Sequence, residues 1–135
     1  MTKIKVSYLG DLRTSSEHLE SGEKIKTDAP KDNNGKGEAF SPTDLLAASY
    51  ANCMMTIIGI YCEKHDLNFK MCEAEVEKEM KDNPRRIGKL TIKFDLSEND
   101  WSEKDRKKIE NAAKNCPVAK SISTDVETDI SFKYN

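Results

Sequence analysis

The uncharged stretch Leu45–Cys62 constrains the fold more than any other feature of this chain. It follows Ser41-Pro42, where Ser41 can cap a helix and Pro42 suits the first helical position. Asp44 stands three residues after Ser41 and can complete a capping box. At about 100° per residue the apolar side chains cover every face, which is typical of a buried helix. The sequence therefore predicts a core helix that begins at Pro42.

A membrane-spanning helix is the main alternative, because spans usually contain about 17–25 apolar residues. Ser49, Asn52 and Thr56 interrupt the run, however, and only 36% of the whole chain is apolar. The first residues alternate in polarity and lack the apolar segment of a signal peptide. We therefore expect a cytoplasmic protein with no membrane partner.

Length and charge limit the class of protein further. A chain of 135 residues predicts one domain, residues 1–135. The net charge is −2, with acidic and basic residues interspersed, which argues against nucleic acid as a partner. A helix that is apolar on all sides needs more covering surface than the remaining strands offer, so we expect a homodimer.

Alternating polarity predicts strands on both sides of the long helix. These strands cover residues 3–8, 23–27, 72–80, 88–96 and 125–134. The segment Asp28–Glu38 is typical of a loop, and the polar segment from Arg13 to His18 of a connection. A second helix begins at Ser102, and its apolar spacing places Cys116 on the buried face. The order indicates an α+β fold with antiparallel sheet packed on the long helix.

The cysteines are the residues best suited to chemistry. Their spacing contains no C-x-x-C pair and no histidine pair at ligand spacing, so no zinc site is expected. We expect no other cofactor. Cys53, in the middle of the long helix, is compatible with plain core packing or with redox chemistry. Cys116 precedes Pro117, which can begin a helix, and a helix N-terminus favours thiolate. For Cys62 and Cys72 we expect packing roles.

Three motifs resemble the OsmC and organic hydroperoxide resistance (Ohr) family. They are Arg13-Thr-Ser-Ser, Ser41-Pro42-x-x-Leu-Leu-Ala-Ala-x-Tyr50-Ala-x-Cys53, and Ala112-Ala-Lys-x-Cys116-Pro117-Val. The resemblance covers nearly the whole chain and includes two cysteines 63 residues apart. It implies an OsmC-like fold and an intertwined homodimer with active sites at the subunit interface.

The resemblance also implies a thiol-dependent peroxidase that prefers organic hydroperoxides. By position, Cys53 would be the peroxidatic thiol, Cys116 the resolving thiol, and Arg13 the cation that holds the Cys53 thiolate. A sulfenic acid on Cys53 would condense with Cys116 to a disulfide. A dithiol such as a lipoylated protein, or thioredoxin, would then reduce it.

The chain departs from the family pattern at one position. Peroxidase members carry Glu directly after the motif proline, where it pairs with the arginine, and this chain has Thr43 there. Either Asp44, one residue on, takes that role, or Arg13 is held differently. With Thr43 at this position, the sequence resembles a less characterised OsmC-like branch of the family, and a second hypothesis therefore stands beside the peroxidase. It is a non-catalytic protein of the same fold that binds a small apolar ligand or senses oxidation through Cys53.

Overall fold

A computed structural model describes all residues, Met1–Asn135, in two compact units, Met1–Leu46 and Ala47–Asn135. The first unit contains a three-stranded antiparallel sheet in the order β1-β2-β3. Its strands are β1 (Ile4–Gly10), β2 (Arg13–His18) and β3 (Lys24–Asp28). A single 3₁₀ turn, Lys31–Asn33, follows β3. The first and third strands were predicted from the alternation of their side chains.

Strand β2 corrects the sequence-based expectation of a connection at Arg13–His18. Its side chains are all polar or charged, so no alternation marks it as a strand. The backbone nevertheless pairs with β1 on one side and β3 on the other, from Ile4↔His18 to Arg13↔Asp28. The hydrogen bonds of two neighbouring strands thus determine its conformation, and these partners are not visible in the local sequence.

The long helix α1 runs from Pro42 to Lys64, as predicted. Its buried residues all lie in the second unit: Ala47, Tyr50, Ala51, Met54, Ile58 and Cys62. Burial within the single chain is confined to this face, and Ile60 is 42% exposed on another. By length and composition alone α1 could cross a membrane, but the core helix of a soluble protein meets the same criteria.

The second unit also contains a sheet in the order β4-β5-β6. Strands β4 (Glu73–Lys81) and β5 (Arg86–Asp95) form the predicted antiparallel hairpin. Strand β6 (Glu127–Lys133) was also predicted, but it pairs parallel to β5, so the expectation of purely antiparallel sheet was wrong. The connection from β5 to β6 carries helices α2 (Glu103–Lys114) and α3 (Pro117–Ser121), which allow the chain to return in the same direction.

The core of the second unit lies between β5, α1 and α2. Four side chains of β5 and the residue after it were predicted to face the core, and all four are almost completely buried: Leu90, Ile92, Phe94 and Leu96. Helix α2 adds Ile109 and Ala113. At its start Ser102 accepts a hydrogen bond from the Asp105 N–H at 3.1 Å, which is the predicted cap.

Candidate active site

The thiols of Cys53 and Cys116 lie within hydrogen-bonding reach of each other. Cys53 stands midway along α1 and is partly exposed, whereas Cys116 is completely buried. The two residues are 63 positions apart in sequence. Packing of α1 against the region between α2 and α3 therefore brings together the two cysteines that the motif resemblance selected, as free thiols.

The backbone around Cys116 places its sulfur at the start of α3 and not on α2, where the spacing had predicted it. Helix α2 ends at Lys114, and Cys116 is the N-cap of α3, with Pro117 at the first helical position. Its Sγ accepts a hydrogen bond from the Ala119 N–H at 3.4 Å. The interpretation that Pro117 begins a helix is thus confirmed.

Opposing effects act on the Cys116 thiol. Burial raises its pKa, because the interior disfavours the thiolate. The Cys53 thiol raises this pKa further through its hydrogen bond and its charge, while the N–H groups of Ala119 and Val118 lower it by donating to the sulfur. The raising effects outweigh the lowering ones, so the pKa of Cys116 is raised and the reduced pair holds Cys116 as the neutral thiol.

Tyr50 forms one wall beside the cysteine pair. It lies one helical turn before Cys53, is 4% exposed, and its hydroxyl is hydrogen-bonded to Thr128. Burial raises the pKa of Tyr50, and the charge of Cys116 adds to the rise, which indicates that the two groups are close. A cavity of about 350 Å³ opens at this position between Tyr50, Thr128 and Lys114. The sequence analysis named Tyr50 only as part of the second motif and did not indicate Thr128, which lies on β6.

The remaining cysteines lie in surroundings that suppress thiolate formation. Cys62 is 1% exposed, and burial raises its pKa, with the charge of Asp105 adding to the rise. Burial raises the pKa of Cys72 to about 11, and the charges of Asp95 and Glu73 contribute. Both observations agree with the packing roles expected for these two residues.

Arg13 is held by carboxylates of the first unit. It stands opposite Asp28 in the β2–β3 register, and its Nη2 lies 3.6 Å from Asp28 Oδ2. The same Nη2 lies 3.0 Å from Glu38 Oε2, and the Glu38 N–H donates to Asp28 Oδ2 at 3.0 Å. Arg13 is thus paired with two carboxylates that the sequence had assigned to a loop.

The Arg13–Asp28 pair keeps unused hydrogen-bonding capacity. Asp28 is 1% exposed, and its Oδ1 has no hydrogen-bond partner. Arg13 Nε is also buried without a partner. A buried carboxylate is costly unless a cation and hydrogen-bond donors compensate it, so the position of Arg13 and the charge of Asp28 depend on each other.

Asp44 completes the capping box that its position predicted. Its N–H donates to Ser41 Oγ at 3.0 Å, and its Oδ2 accepts from the Ser41 N–H at 2.9 Å. Thr43 Oγ1 lies 3.3 Å from Ser41 Oγ. The carboxylate of Asp44 therefore stabilises the start of α1. Its pairing with Arg13 stays a prediction.

No group of three or more His, Cys, Asp or Glu side chains in the chain could hold a metal ion.

Comparison with known proteins places the chain in a family. Residues 35–131 match the family model described as OsmC-like protein. A crystal structure from Psychrobacter arcticus 273-4 is 48% identical, covers 98% of this chain and 96% of its own, and superposes with a TM-score of 0.93. That protein is provisionally described as an osmotic stress induced and detoxification response protein. The chain belongs to the OsmC family, as its motifs indicated.

More distant structures share the fold. The organic hydroperoxide resistance protein OsmC of Legionella pneumophila is 18% identical, with a TM-score of 0.78 over 98% of this chain and 96% of that one. The organic hydroperoxide resistance protein OhrB of Bacillus subtilis is 19% identical, with a TM-score of 0.71 over 98% of each chain. No curated protein sequence matches the chain. The α+β OsmC-like architecture is thus confirmed.

Proposed function

We propose that this protein is a thiol peroxidase that reduces organic hydroperoxides with Cys53 and Cys116. The observation that carries the proposal is the contact between the two thiols, one partly exposed and the other buried. A two-cysteine peroxidase needs this asymmetry, since the first thiol must meet the peroxide and the second must wait beside it. The Legionella and Bacillus proteins of this fold are described as organic hydroperoxide resistance proteins, which supports this substrate class.

The reaction proceeds in two oxidative steps. The Cys53 thiolate attacks one oxygen of the hydroperoxide, the O–O bond breaks, and the alkoxide leaves and takes up a proton as the alcohol. Cys53 then carries a sulfenic acid, and the sulfur of Cys116 attacks it, releasing water and forming the disulfide. An external dithiol, from a lipoylated protein or from thioredoxin, returns two electrons to the pair.

Arg13 keeps the role that the family resemblance gives it, which is to favour the Cys53 thiolate and to orient the peroxide. We propose that Asp28 and Glu38 orient Arg13 in this chain, because both carboxylates contact its guanidinium. The variants Asp28→Asn and Asp44→Asn distinguish the two candidate partners. The first is expected to slow hydroperoxide reduction roughly as much as Arg13→Met, and the second by less than about twofold. The opposite order would make Asp44 the partner.

We further propose that the protein acts as a cytoplasmic homodimer. Strand β1 exposes an apolar row, with Ile4, Val6 and Tyr8 each more than 60% exposed. Ile25 of β3 lies on the same face of the sheet, separated from Val6 by their shared β2 partner Ser16. An exposed apolar row along an edge strand is rarely left in water, and a second copy of the chain would cover it.

Peptide mapping after oxidation tests the peroxidase. Reduced protein is treated with one equivalent of cumene hydroperoxide, alkylated and digested, with Cys53→Ser and Cys116→Ser as variants and Cys62→Ala and Cys72→Ala as matched controls. A Cys53–Cys116 disulfide is expected in the wild type and both controls, and in neither serine variant. Four thiols that remain reduced would favour the non-catalytic binding protein instead.

A further inference from the structure

We infer that the external dithiol attacks the sulfur of Cys53, and that Cys116 is the leaving thiolate when the disulfide is reduced. The inference rests on the proposed function, since it concerns the second half of that reaction. It assigns the two sulfurs different roles toward the reductant, just as they have different roles toward the peroxide.

The two sulfurs differ in how accessible they are to an external thiol. Thiol–disulfide exchange requires an incoming thiolate to reach one sulfur, and its rate depends on which sulfur can be reached. Cys53 is partly exposed, whereas Cys116 is 0% exposed and lies in the core of the second unit. An external thiolate can therefore reach Cys53 while the interior shields Cys116.

Backbone hydrogen bonds stabilise the sulfur of Cys116 as it departs. Exchange is faster when the departing sulfur is better stabilised as a thiolate. The Ala119 N–H donates to Cys116 Sγ at 3.4 Å, and the Val118 N–H also stabilises the anion. Burial is the largest effect on the Cys116 pKa and opposes the thiolate before and after exchange, whereas the hydrogen bond and charge of the Cys53 thiol oppose it only in the reduced pair. Once the Cys53 sulfur is bonded to the reductant, the two backbone donors remain as the groups that favour departure of the Cys116 sulfur.

Reduction of the disulfide takes two exchange steps. A thiolate of the dithiol forms a bond to Cys53 Sγ, the S–S bond breaks, and Cys116 keeps the electron pair. The second thiol of the reductant then attacks its own bonded sulfur, which releases the Cys53 thiolate and leaves the reductant as a cyclic disulfide. Two electrons and two protons pass to the cysteine pair. A monothiol cannot take the second step, because the nearby Cys116 thiolate expels it again, so dithiols are favoured.

Trapping the mixed disulfide tests the assignment. In a Cys62→Ala/Cys72→Ala background, the pair is oxidised with cumene hydroperoxide or, in parallel, with diamide. The oxidised protein is mixed with excess 2-mercaptoethanesulfonate, quenched with acid after increasing times, alkylated and mapped. Extrapolated to zero time, the adduct is expected on Cys53 and the alkyl group on Cys116, in a ratio of at least about ten to one. An adduct on Cys116, or an even distribution, would overturn the inference.

The two oxidants separate this inference from the peroxidase proposal. If diamide forms the disulfide and cumene hydroperoxide does not, the proposed function fails, and the adduct still reports the site of attack. If neither oxidant forms it, both proposals are wrong.

A backbone variant tests the leaving-group argument. Ala119→Pro removes the N–H that donates to Cys116, at a helix position where this N–H has no helical partner. We expect this variant to slow reduction of the disulfide by dithiothreitol about threefold to tenfold, because the departing thiolate loses a charge-assisted hydrogen bond. Ala119→Gly keeps the N–H and is the matched control, expected within about twofold of wild type. Equal rates in both variants would contradict the leaving-group role, and a misfolded proline variant leaves adduct mapping to decide.

Discussion

Asp28 lies directly opposite Arg13 across the β2–β3 pair, with its Oδ2 atom 3.6 Å from Arg13 Nη2. The carboxylate is buried, and it also accepts the N–H of Glu38. One side chain therefore joins two strands and the loop that follows them. This makes Asp28 a residue on which both the stability of the first unit and the position of Arg13 depend.

Asp28→Ala is expected to lower the free energy of unfolding by about 2 kcal/mol, because it removes the buried one of the two carboxylates paired with Arg13 and leaves the Glu38 N–H without its acceptor. Glu38→Gln is the matched control, since the Glu38 side chain is 61% exposed. A surface ion pair contributes less than about 1 kcal/mol. Urea denaturation of both variants measures the difference. If both variants lost the same unfolding free energy, the burial of Asp28 would not be the cause of the larger effect expected for Asp28→Ala.

Cys116→Ser is expected to stop the reaction after its first step. Cys53 should still react with cumene hydroperoxide, but its sulfenic acid has no partner thiol and becomes available to dimedone or to further oxidation. Multiple turnover with dithiothreitol should fall by about a hundredfold or more. Mass spectrometry of the dimedone adduct checks the outcome. Full turnover in this variant would mean that Cys116 is not the resolving thiol.

The reactivity of Cys72 should depend steeply on pH. Its pKa is raised to about 11, so the thiol form dominates below that pH and only the thiolate reacts with iodoacetamide. Between pH 8 and pH 10 the alkylation rate should rise about tenfold per pH unit, since each unit raises the thiolate fraction tenfold. A short peptide that contains the same cysteine should level off near pH 8.5. A plateau for Cys72 below pH 9 would contradict the prediction.

The raised pKa of Cys72 also makes the stability of the protein depend on pH. The folded state holds the Cys72 proton more tightly than the unfolded state, so the contribution is complete below the unfolded pKa of about 8.5. It is lost as the pH rises toward about 11. Cys72→Ala should therefore flatten the decline in stability on this alkaline side.

Val6→Lys is expected to convert a dimer into monomers. Val6 is 63% exposed within the apolar row of β1, and a charge there opposes burial against a second copy. Lys5→Gln is the matched control, because neighbouring residues of a strand point to opposite faces. Light scattering after size-exclusion chromatography measures the mass. A monomeric wild type, or a dimer in both variants, would contradict a dimer built on this row.

Local patterns in the sequence predicted the helices and strands that are determined by residues close to them in the chain. The start of α1 followed from Ser41, Pro42 and Asp44, and the β4–β5 hairpin followed from strict alternation. The start of α3 at Pro117 followed from the geometry that proline imposes. In each case the residues that determine the structure lie within a few positions of it.

The features that the sequence did not predict depend on distant partners. Strand β2 is polar and exists because two neighbours supply its hydrogen bonds. The parallel direction of β6 depends on the helical connection, and alternation carries no information about direction. The pairing of Arg13 with Asp28 requires the β2–β3 register, so a residue interpreted as part of a loop became its partner.

The cap at the start of α3 links a sulfur atom to a backbone amide, because Cys116 Sγ accepts the N–H of Ala119. The chemical state of that sulfur therefore changes the magnetic environment of one identifiable proton. In an NMR spectrum of the ¹⁵N-labelled protein, the Ala119 amide signal will move when the pair is oxidised. The Asp105 amide, capped by the oxygen of Ser102, offers an internal reference that stays in place. The fold thus supplies its own redox indicator, which can be observed without any added dye or label on the cysteines.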